Sequence, residues 1–214
     1  AAGRNGEDRT LLILGAGAAG SIAAEPLRGE GFAGRIVMVT PECHRPYDRT
    51  ALSKAYLARP DASEPSLRDE DFYADREIEL LTGRGASELD VSGRTVTLAG
   101  GEQMAYDRLL LATGSAPRTL DVEGMDLRGV MTLRSLDDCN RLRDALDQAG
   151  KPAVVGASFI AMEAAAAMAK RDKPATVIAP DSVPLQRALG ERIGSMYRQV
   201  HEEKGATFRL GRRV

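Results

Sequence analysis

The chain has 214 residues, 43% of them apolar, and its 29 basic and 31 acidic side chains leave a net charge of −2. That length allows one large domain or two small ones with substantial cores, and the balanced charge carries no electrostatic footprint for nucleic acid. No apolar run approaches the ~20 residues of a membrane helix, the polar start is not a signal peptide, and Cys43 and Cys139 form neither C-x-x-C nor C-x4-C, which implies reduced thiols, a cytoplasmic setting and no internal dithiol relay.

Residues 1–9 read as a linker. Leu11-Leu12-Ile13-Leu14 form a buried strand that runs straight into Gly15-Ala16-Gly17-Ala18-Ala19-Gly20, an intact G-x-G-x-x-G. In that arrangement Gly15 allows the tight turn, Gly17 lets a pyrophosphate approach the backbone, and Gly20 lets helix meet strand; the phosphates rest on the helix N-terminus. The alanine-rich helix is expected over 18–29, kinked or shortened by Pro26, whose ring removes one hydrogen bond and collides with the preceding turn. After a turn at 31–34, a second parallel strand spans 35–40. Glu42, 27 positions after Gly15, is placed to accept hydrogen bonds from an adenosine ribose, the turn absorbing the excess over the usual spacing of ~20. A solvated surface carboxylate is the alternative for Glu42.

A polar loop at 41–48, a short helix at 51–57, a loop at 60–68 and a short helix at 69–75 precede a strand at 78–81. Segments 88–90, 95–98 and 103–106 are spaced as a small antiparallel meander with turns at Ser92-Gly93 and Gly100-Gly101. Leu109 to Gly114 form another buried strand ending in a glycine turn, and 117–129 cross to a new region. There a second alternation begins: a helix at 136–149 capped by Ser135 and stopped by Gly150, a strand at 153–155, a helix at 159–171, a strand at 175–179, a helix at 189–204 and a strand at 207–210.

Ala153-Val154-Val155 run into Gly156-Ala157-Ser158-Phe159-Ile160-Ala161-Met162-Glu163, the same shape with Ser158 and Ala161 replacing two glycines. Serine is small and its hydroxyl can serve a phosphate, and alanine is a known alternative at the third position. Two such turns suggest a chain that holds two dinucleotides and moves electrons between them. The expected fold is α/β, two Rossmann-like three-layer units with a small antiparallel β-meander, the second unit begun but, by strand count, unfinished. His44 and His201 read as solvated, Cys139 as a half-buried structural thiol, and no metal site is expected.

The run Arg45-Pro46-Tyr47-Asp48-Arg49-Thr50-Ala51-Leu52-Ser53-Lys54 resembles the P-Y-x-R-P-x-L-S-K segment of ferredoxin-reductase-like flavoproteins, in the FAD-dependent pyridine nucleotide-disulfide oxidoreductase superfamily. Leu111-Ala112-Thr113-Gly114 is similar to its A-T-G turn. With Leu133-Arg134, the turn at 156–163 and Leu189-Gly190-Glu191-Arg192, the likeness extends from 10 to 214 and is nearest to the apoptosis-inducing-factor-like branch. The resemblance implies an FAD-binding portion over 10–118, an NAD(P)-binding portion over 119–214, and hydride passing from NAD(P)H to FAD. Electrons would then leave singly to an iron–sulfur partner of ferredoxin or Rieske type, which many members carry as a domain fused upstream.

Residue by residue, the resemblance implies that Gly15, Ala16, Gly17, Ala18, Ala19 and Gly20 hold the FAD pyrophosphate and Glu42 its ribose. Ala86 meets the adenine, Thr113 and Gly114 form the A-T-G turn, Arg49 and Lys54 lie along the flavin, and Arg134 contacts FAD. Gly156, Ser158, Phe159, Ile160 and Glu163 line the nicotinamide-nucleotide turn. Lys54 and Glu163 are the implied catalytic pair, salt-bridged near flavin N5, where a paired lysine keeps its charge. The chain departs from the family at Thr50, which replaces a proline, and at Ala179, where an acid often binds the ribose. Asp181 is the substitute, and with no basic residue directly after that strand NADH is favoured over NADPH. The family's second FAD segment and its C-terminal interface domain match nothing here, so the chain resembles the front half of a reductase. Two alternatives remain: a nucleotide-sensing flavoprotein whose FAD and NAD binding controls association, and an inactive fragment.

Overall fold

A computed structural model describes residues 8–148 and 150–214. The backbone divides into two compact units: the described residues through Asp48 with Pro65–Ser115, and Arg49–Glu64 with Ala116–Val214. The start of the expected linker and the end of the expected helix at 149 lie outside the described residues.

The first unit is built on β1 (Thr10–Leu14), α1 (Ala18–Gly29), β2 (Arg35–Val39) and β3 (Ile78–Leu81), followed by the meander β4 (Ala86–Asp90), β5 (Thr95–Leu98) and β6 (Gln103–Ala105), and by β7 (Arg108–Leu111). A four-stranded parallel sheet has the order β3-β2-β1-β7, with Ile13 opposite Met38 on one side and Leu110 on the other. The apolar runs read from the sequence carry side chains to both faces, as a sheet covered on both sides requires. Leu12, Leu14, Val37 and Val39 pack on Val96, Leu98 and Met104 of the meander. Ile13, Ile36, Met38 and Ile78 pack on Ala24 of α1 and on Tyr73, which belongs to a helical turn at Phe72–Asp75. Meander, sheet and helices thus make three layers.

α1 keeps the expected bounds, so of the two effects expected of Pro26, a kink or a shortening, it does not shorten the helix. The helix runs on to Gly29, and Glu30 N–H donates to the Pro26 carbonyl at 2.8 Å. Pro26 is exposed, and Ile22, whose carbonyl loses its partner, is 59% exposed, so water can replace that bond. Two residues on, the Arg28 guanidinium donates to four carbonyls, of Phe32 (2.6 Å), Gly34 (2.7 Å), Arg76 (2.8 Å) and Glu77 (2.8 Å), a fork only arginine can supply. β7 ends three residues earlier than expected, at Leu111 rather than Gly114.

The second unit starts with a 3-10 turn at Arg49–Ser53 and the short helix Ala55–Ala58. Numbering these short helices in chain order, Ala55–Ala58 is α2 and Phe72–Asp75 is α3; α4 (Leu136–Gln148), β8 (Ala153–Val155), α5 (Phe159–Ala169), β9 (Thr176–Ala179), α6 (Gln186–Glu202) and β10 (Thr207–Leu210) follow. The three strands form a parallel sheet in the order β10-β9-β8. Ser135 caps α4 as expected: its Oγ accepts from Asp138 N–H (3.1 Å), and the Asp138 carboxylate accepts from Ser135 N–H (2.9 Å) and Arg134 N–H (3.0 Å), a reciprocal capping box. The apolar helix α5 buries Met162, Ala164, Ala165, Ala167 and Met168, and it packs on α2 and the 3-10 turn.

Three local expectations change. Cys139 is fully buried rather than half-buried; its thiol donates to the Leu52 carbonyl at 3.2 Å, and burial pushes it up to about 11. His201 is not a solvated surface residue: it stacks on Tyr197 at 6.5 Å and meets Phe208 edge-on at 6.4 Å, and burial lowers its pKa. α6 begins at Gln186, before the expected 189, because Leu185 in the left-handed region (φ 56°) turns the chain, and Gly190 (φ 77°) then interrupts the helix.

Candidate functional site

In the first unit, β1 continues as α1 to one side through β2 and meets β7 on the other, so the strand order switches beside β1 and opens a crevice at the strands' carboxyl ends. The glycine turn lies there. Gly15 has φ +108°, its N–H donates to the Val39 carbonyl at 2.8 Å, and an added Cβ would lie 2.1 Å from the Ala112 carbonyl oxygen. A Cβ at Gly20 would lie 1.9 Å from the Gly15 oxygen, whereas one at Gly17 would meet nothing within 4 Å. Two glycines are therefore demanded by packing, and the third faces open space where a ligand backbone contact belongs. Ala16 packs into the core, and Ala18 and Ala19 are exposed in the first turn of α1, which has no side-chain cap and no acid. That N-terminus suits an anion.

The other first-unit residues gather at the same strand ends. Thr113 N lies 3.1 Å from where a Gly15 Cβ would be, and Gly114 turns with φ +72°. Glu42 accepts a hydrogen bond from the Tyr47 hydroxyl, and its carbonyl accepts from Gly83 N–H at 2.9 Å. Arg84 N–H donates to the Thr40 carbonyl (2.8 Å), so the chain entering β4 at Ala86 runs beside Glu42. These donors and acceptors fit the adenosine diphosphate part of a dinucleotide.

The second unit repeats the turn. Gly156 has φ +109° and its N–H donates to the Ile178 carbonyl at 2.8 Å, matching Gly15 in both respects. Ser158 is the N-cap of α5 with no side-chain cap bond, and the first turn again carries no acid. Phe159 and Ile160 are about half exposed beside it (51% and 55%). On the next turn of α5, Glu163 Oε2 lies 3.1 Å from Lys54 Nζ and accepts from Ser53 Oγ at 2.6 Å. The Lys54 ammonium also donates to the Thr50 carbonyl at 3.2 Å. Arg49 Nη1 donates to the Arg134 carbonyl at 2.6 Å, which ties the 3-10 turn to the loop held by the α4 capping box. A cleft of about 260 Å³ is lined by Arg49, Lys54, Arg134, Ile160 and Glu163. Lys54 and Glu163 keep 51% and 31% of their side chains exposed, so solvent reaches the pair; such pairs contribute about 0.2–1 kcal/mol, and this one orients charge more than it stabilises the fold.

The comparisons with known proteins agree with this geometry. The pyridine nucleotide-disulphide oxidoreductase family matches residues 9–214. The chain belongs to that family. The chain is 40% identical over 196 residues to the biphenyl dioxygenase system ferredoxin–NAD(+) reductase component of Paraburkholderia xenovorans, covering 92% of this chain and 48% of the relative. It is 39% identical over 198 residues to apoptosis-inducing factor 3 of Mus musculus, covering 92% and 32%. The crystal structure of a ferredoxin reductase from Rhodopseudomonas palustris superposes with a TM-score of 0.90 at 35% identity, over 96% of this chain and 51% of that one. The chain thus spans about half or less of the length of these relatives.

The structure brings Arg49, Lys54, Arg134, Ile160 and Glu163 together in the second unit and places Gly15, Glu42, Ala86 and Thr113 in the first. Asp181 lies past the end of β9, where its carboxylate takes Arg187 Nε at 3.3 Å. Sequence reasoning missed two residues. Ser53, 5% exposed, bonds the Glu163 carboxylate, and Tyr47 bonds Glu42. Both lie inside the quoted Pro46–Lys54 segment, so the signal was present without the partner.

Proposed function

We propose that this chain is the dinucleotide-binding part of a flavoprotein that takes hydride from NAD(P)H and passes electrons singly to an iron–sulfur protein of ferredoxin or Rieske type in the cytoplasm. When bound, FAD and the nicotinamide supply the hydride and electron chemistry. The observation that carries the reading is the pair of glycine turns with one geometry, Gly15 N–H to Val39 and Gly156 N–H to Ile178, both at 2.8 Å.

The chain's own residues have defined work in this reading. The α1 N-terminus with Gly17 takes one pyrophosphate, and Glu42 with the backbone near Ala86 takes its adenosine end. The α5 N-terminus with Ser158 takes the second pyrophosphate. Glu163, fixed by Ser53, holds the Lys54 ammonium at the cleft, so a positive charge faces whatever ring system occupies it. No described helix is long and apolar enough to cross a membrane.

The deciding experiment is a visible spectrum of the purified chain with added FAD, followed by NADH without oxygen. A bound-flavin spectrum that bleaches supports the reductase. Bound flavin that NADH does not bleach overturns the hydride step, and no bound flavin overturns cofactor binding by this chain alone. The likeness to apoptosis-inducing factor 3 favours a second reading, a nucleotide sensor. It would show slow reduction coupled to a change in oligomeric state.

A further inference from the structure

A carboxylate that reads a ribose must be aimed, and a glutamate at a crevice edge has several side-chain torsions to settle before it can accept from a sugar. Glu42 has that task in the reading of the first glycine turn as an FAD site, and the role of its neighbour Tyr47 rests on that reading. The main chain of Glu42 is fixed at the end of β2. Its N–H donates to Thr40 Oγ1 at 3.3 Å, and its carbonyl accepts from Gly83 N–H at 2.9 Å. The facing segment lies close because it carries no side chains at Gly83 and Gly85, where a Cβ would stand 3.5 Å from Cys43 Sγ and from Pro41 Cβ respectively. None of these backbone contacts aims the half-buried carboxylate itself.

The Tyr47 hydroxyl does, by donating to Glu42 Oε2. Tyr47 is a firm anchor, only 7% exposed. Its segment is pinned from behind by an antiparallel bridge to Ser66, with Asp48 N–H on the Pro65 carbonyl (2.7 Å) and Leu67 N–H on the Pro46 carbonyl (3.0 Å). The His44 ring meets the phenol edge-on at 6.5 Å. A phenol supplies one proton, whereas a carboxylate has about four acceptor sites. One such bond can therefore set the rotamer and still leave acceptor capacity for a sugar hydroxyl.

We infer that Tyr47 is a positioning residue for ribose recognition in the first unit. Its hydroxyl holds the Glu42 carboxylate in the orientation that accepts the adenosine 2′-hydroxyl, the bond a strand-end acid makes in a fingerprint of this kind. The rotamer freedom of Glu42 is then given up on folding and not on binding the cofactor, which favours the bound state. Tyr47 acts through Glu42 rather than on the sugar.

The test compares FAD with its 2′-deoxyadenosine analogue on the 214-residue chain, each titrated by flavin absorbance with NAD+ in excess to fill the second turn. FAD is expected to bind roughly tenfold more tightly than the analogue. Tyr47→Phe keeps the ring and should shrink that preference to roughly twofold, weakening FAD and sparing the analogue. Glu42→Ala should remove the preference, and adding Tyr47→Phe to it should change nothing more. A tyrosine that served only the packing of the loop would weaken both flavins equally. That result, an undiminished preference in Tyr47→Phe, or tighter FAD binding by it would overturn the positioning role and leave the FAD site standing. Equal binding of the two flavins by the parent would remove Glu42, and Tyr47 with it, from ribose recognition. If the parent binds neither, the FAD reading and the role of Tyr47 fall together.

Discussion

Gly17 and Gly20 sit three residues apart and answer to different demands. An alanine at Gly20 drives its methyl to 1.9 Å from the Gly15 oxygen, so helix and strand must separate; we expect Gly20→Ala to cost about 2–4 kcal/mol in urea unfolding. An alanine at Gly17 meets nothing within 4 Å. Its stability should stay within about 0.5 kcal/mol of the parent, while FAD titration should show weakened binding. Equal stabilities for the two variants would refute the division of roles. The Glu163 carboxylate poses a separate question. In flavin-loaded protein, Lys54→Ala and Glu163→Gln should each slow anaerobic reduction by NADH roughly tenfold, with Ser53→Ala between them and the parent. Unchanged stopped-flow rates in both charge variants would remove the pair from the mechanism. The pair itself was legible only through family resemblance, since nothing local tells a lysine which carboxylate 109 positions later will meet it. Ser53 stood inside the quoted segment, but its bond to Glu163 was not legible, because that partner depends on how α5 packs against the 3-10 turn.

Elements were more legible than contacts. β1, β3, β5, β8 and β10 fall where apolar runs bounded by turns put them, because short β-branched and leucine-rich runs between turn signals read as strands. The exceptions are local. Pro26 is tolerated since the Ile22 carbonyl it leaves unmatched lies on an exposed residue, and α6 starts early since Leu185 adopts a left-handed turn that no leucine advertises. Replacing Pro26 with alanine should therefore raise stability by about 1–2 kcal/mol, read as a higher urea midpoint. A lower midpoint would show that the ring is needed where it stands. At α4 the capping box predicts the opposite sign. Ser135→Ala should cost about 1 kcal/mol, and hydrogen exchange should show the first turn of α4 opening sooner. Since Arg134 shares the Asp138 carboxylate, the same variant should loosen the rim of the cleft.

For the whole molecule, acid is the condition to vary. Burial lowers the His201 pKa from its ordinary 6.5, so between the folded value and 6.5 the unfolded chain binds more protons than the folded one. The contribution of this histidine to stability therefore falls as pH drops through that window, being intact above 6.5 and gone below the folded pKa. Denaturant midpoints from pH 7.5 down to 5 should show this decline, and His201→Phe should flatten it. An equal decline in the variant would assign the effect to other groups.

The twin glycine turns also present a hazard while the chain is folding. Two βαβ segments with one backbone geometry can each start to pair with the strand meant for the other, a familiar failure of chains with internal duplication. Side-chain size guards against it here. The first unit fills its sheet with Leu12, Ile13 and Leu14, while the second offers Ala153, Val154 and Val155 at the matching strand. An exchange would put Ala153, Val154 and Val155 where Leu12, Ile13 and Leu14 are buried, leaving voids in the first sheet, and each lost methylene would make the swapped intermediate less durable than the native pairing. Side-chain bulk thus works as an address label, sorting two copies of one motif that their glycines cannot tell apart.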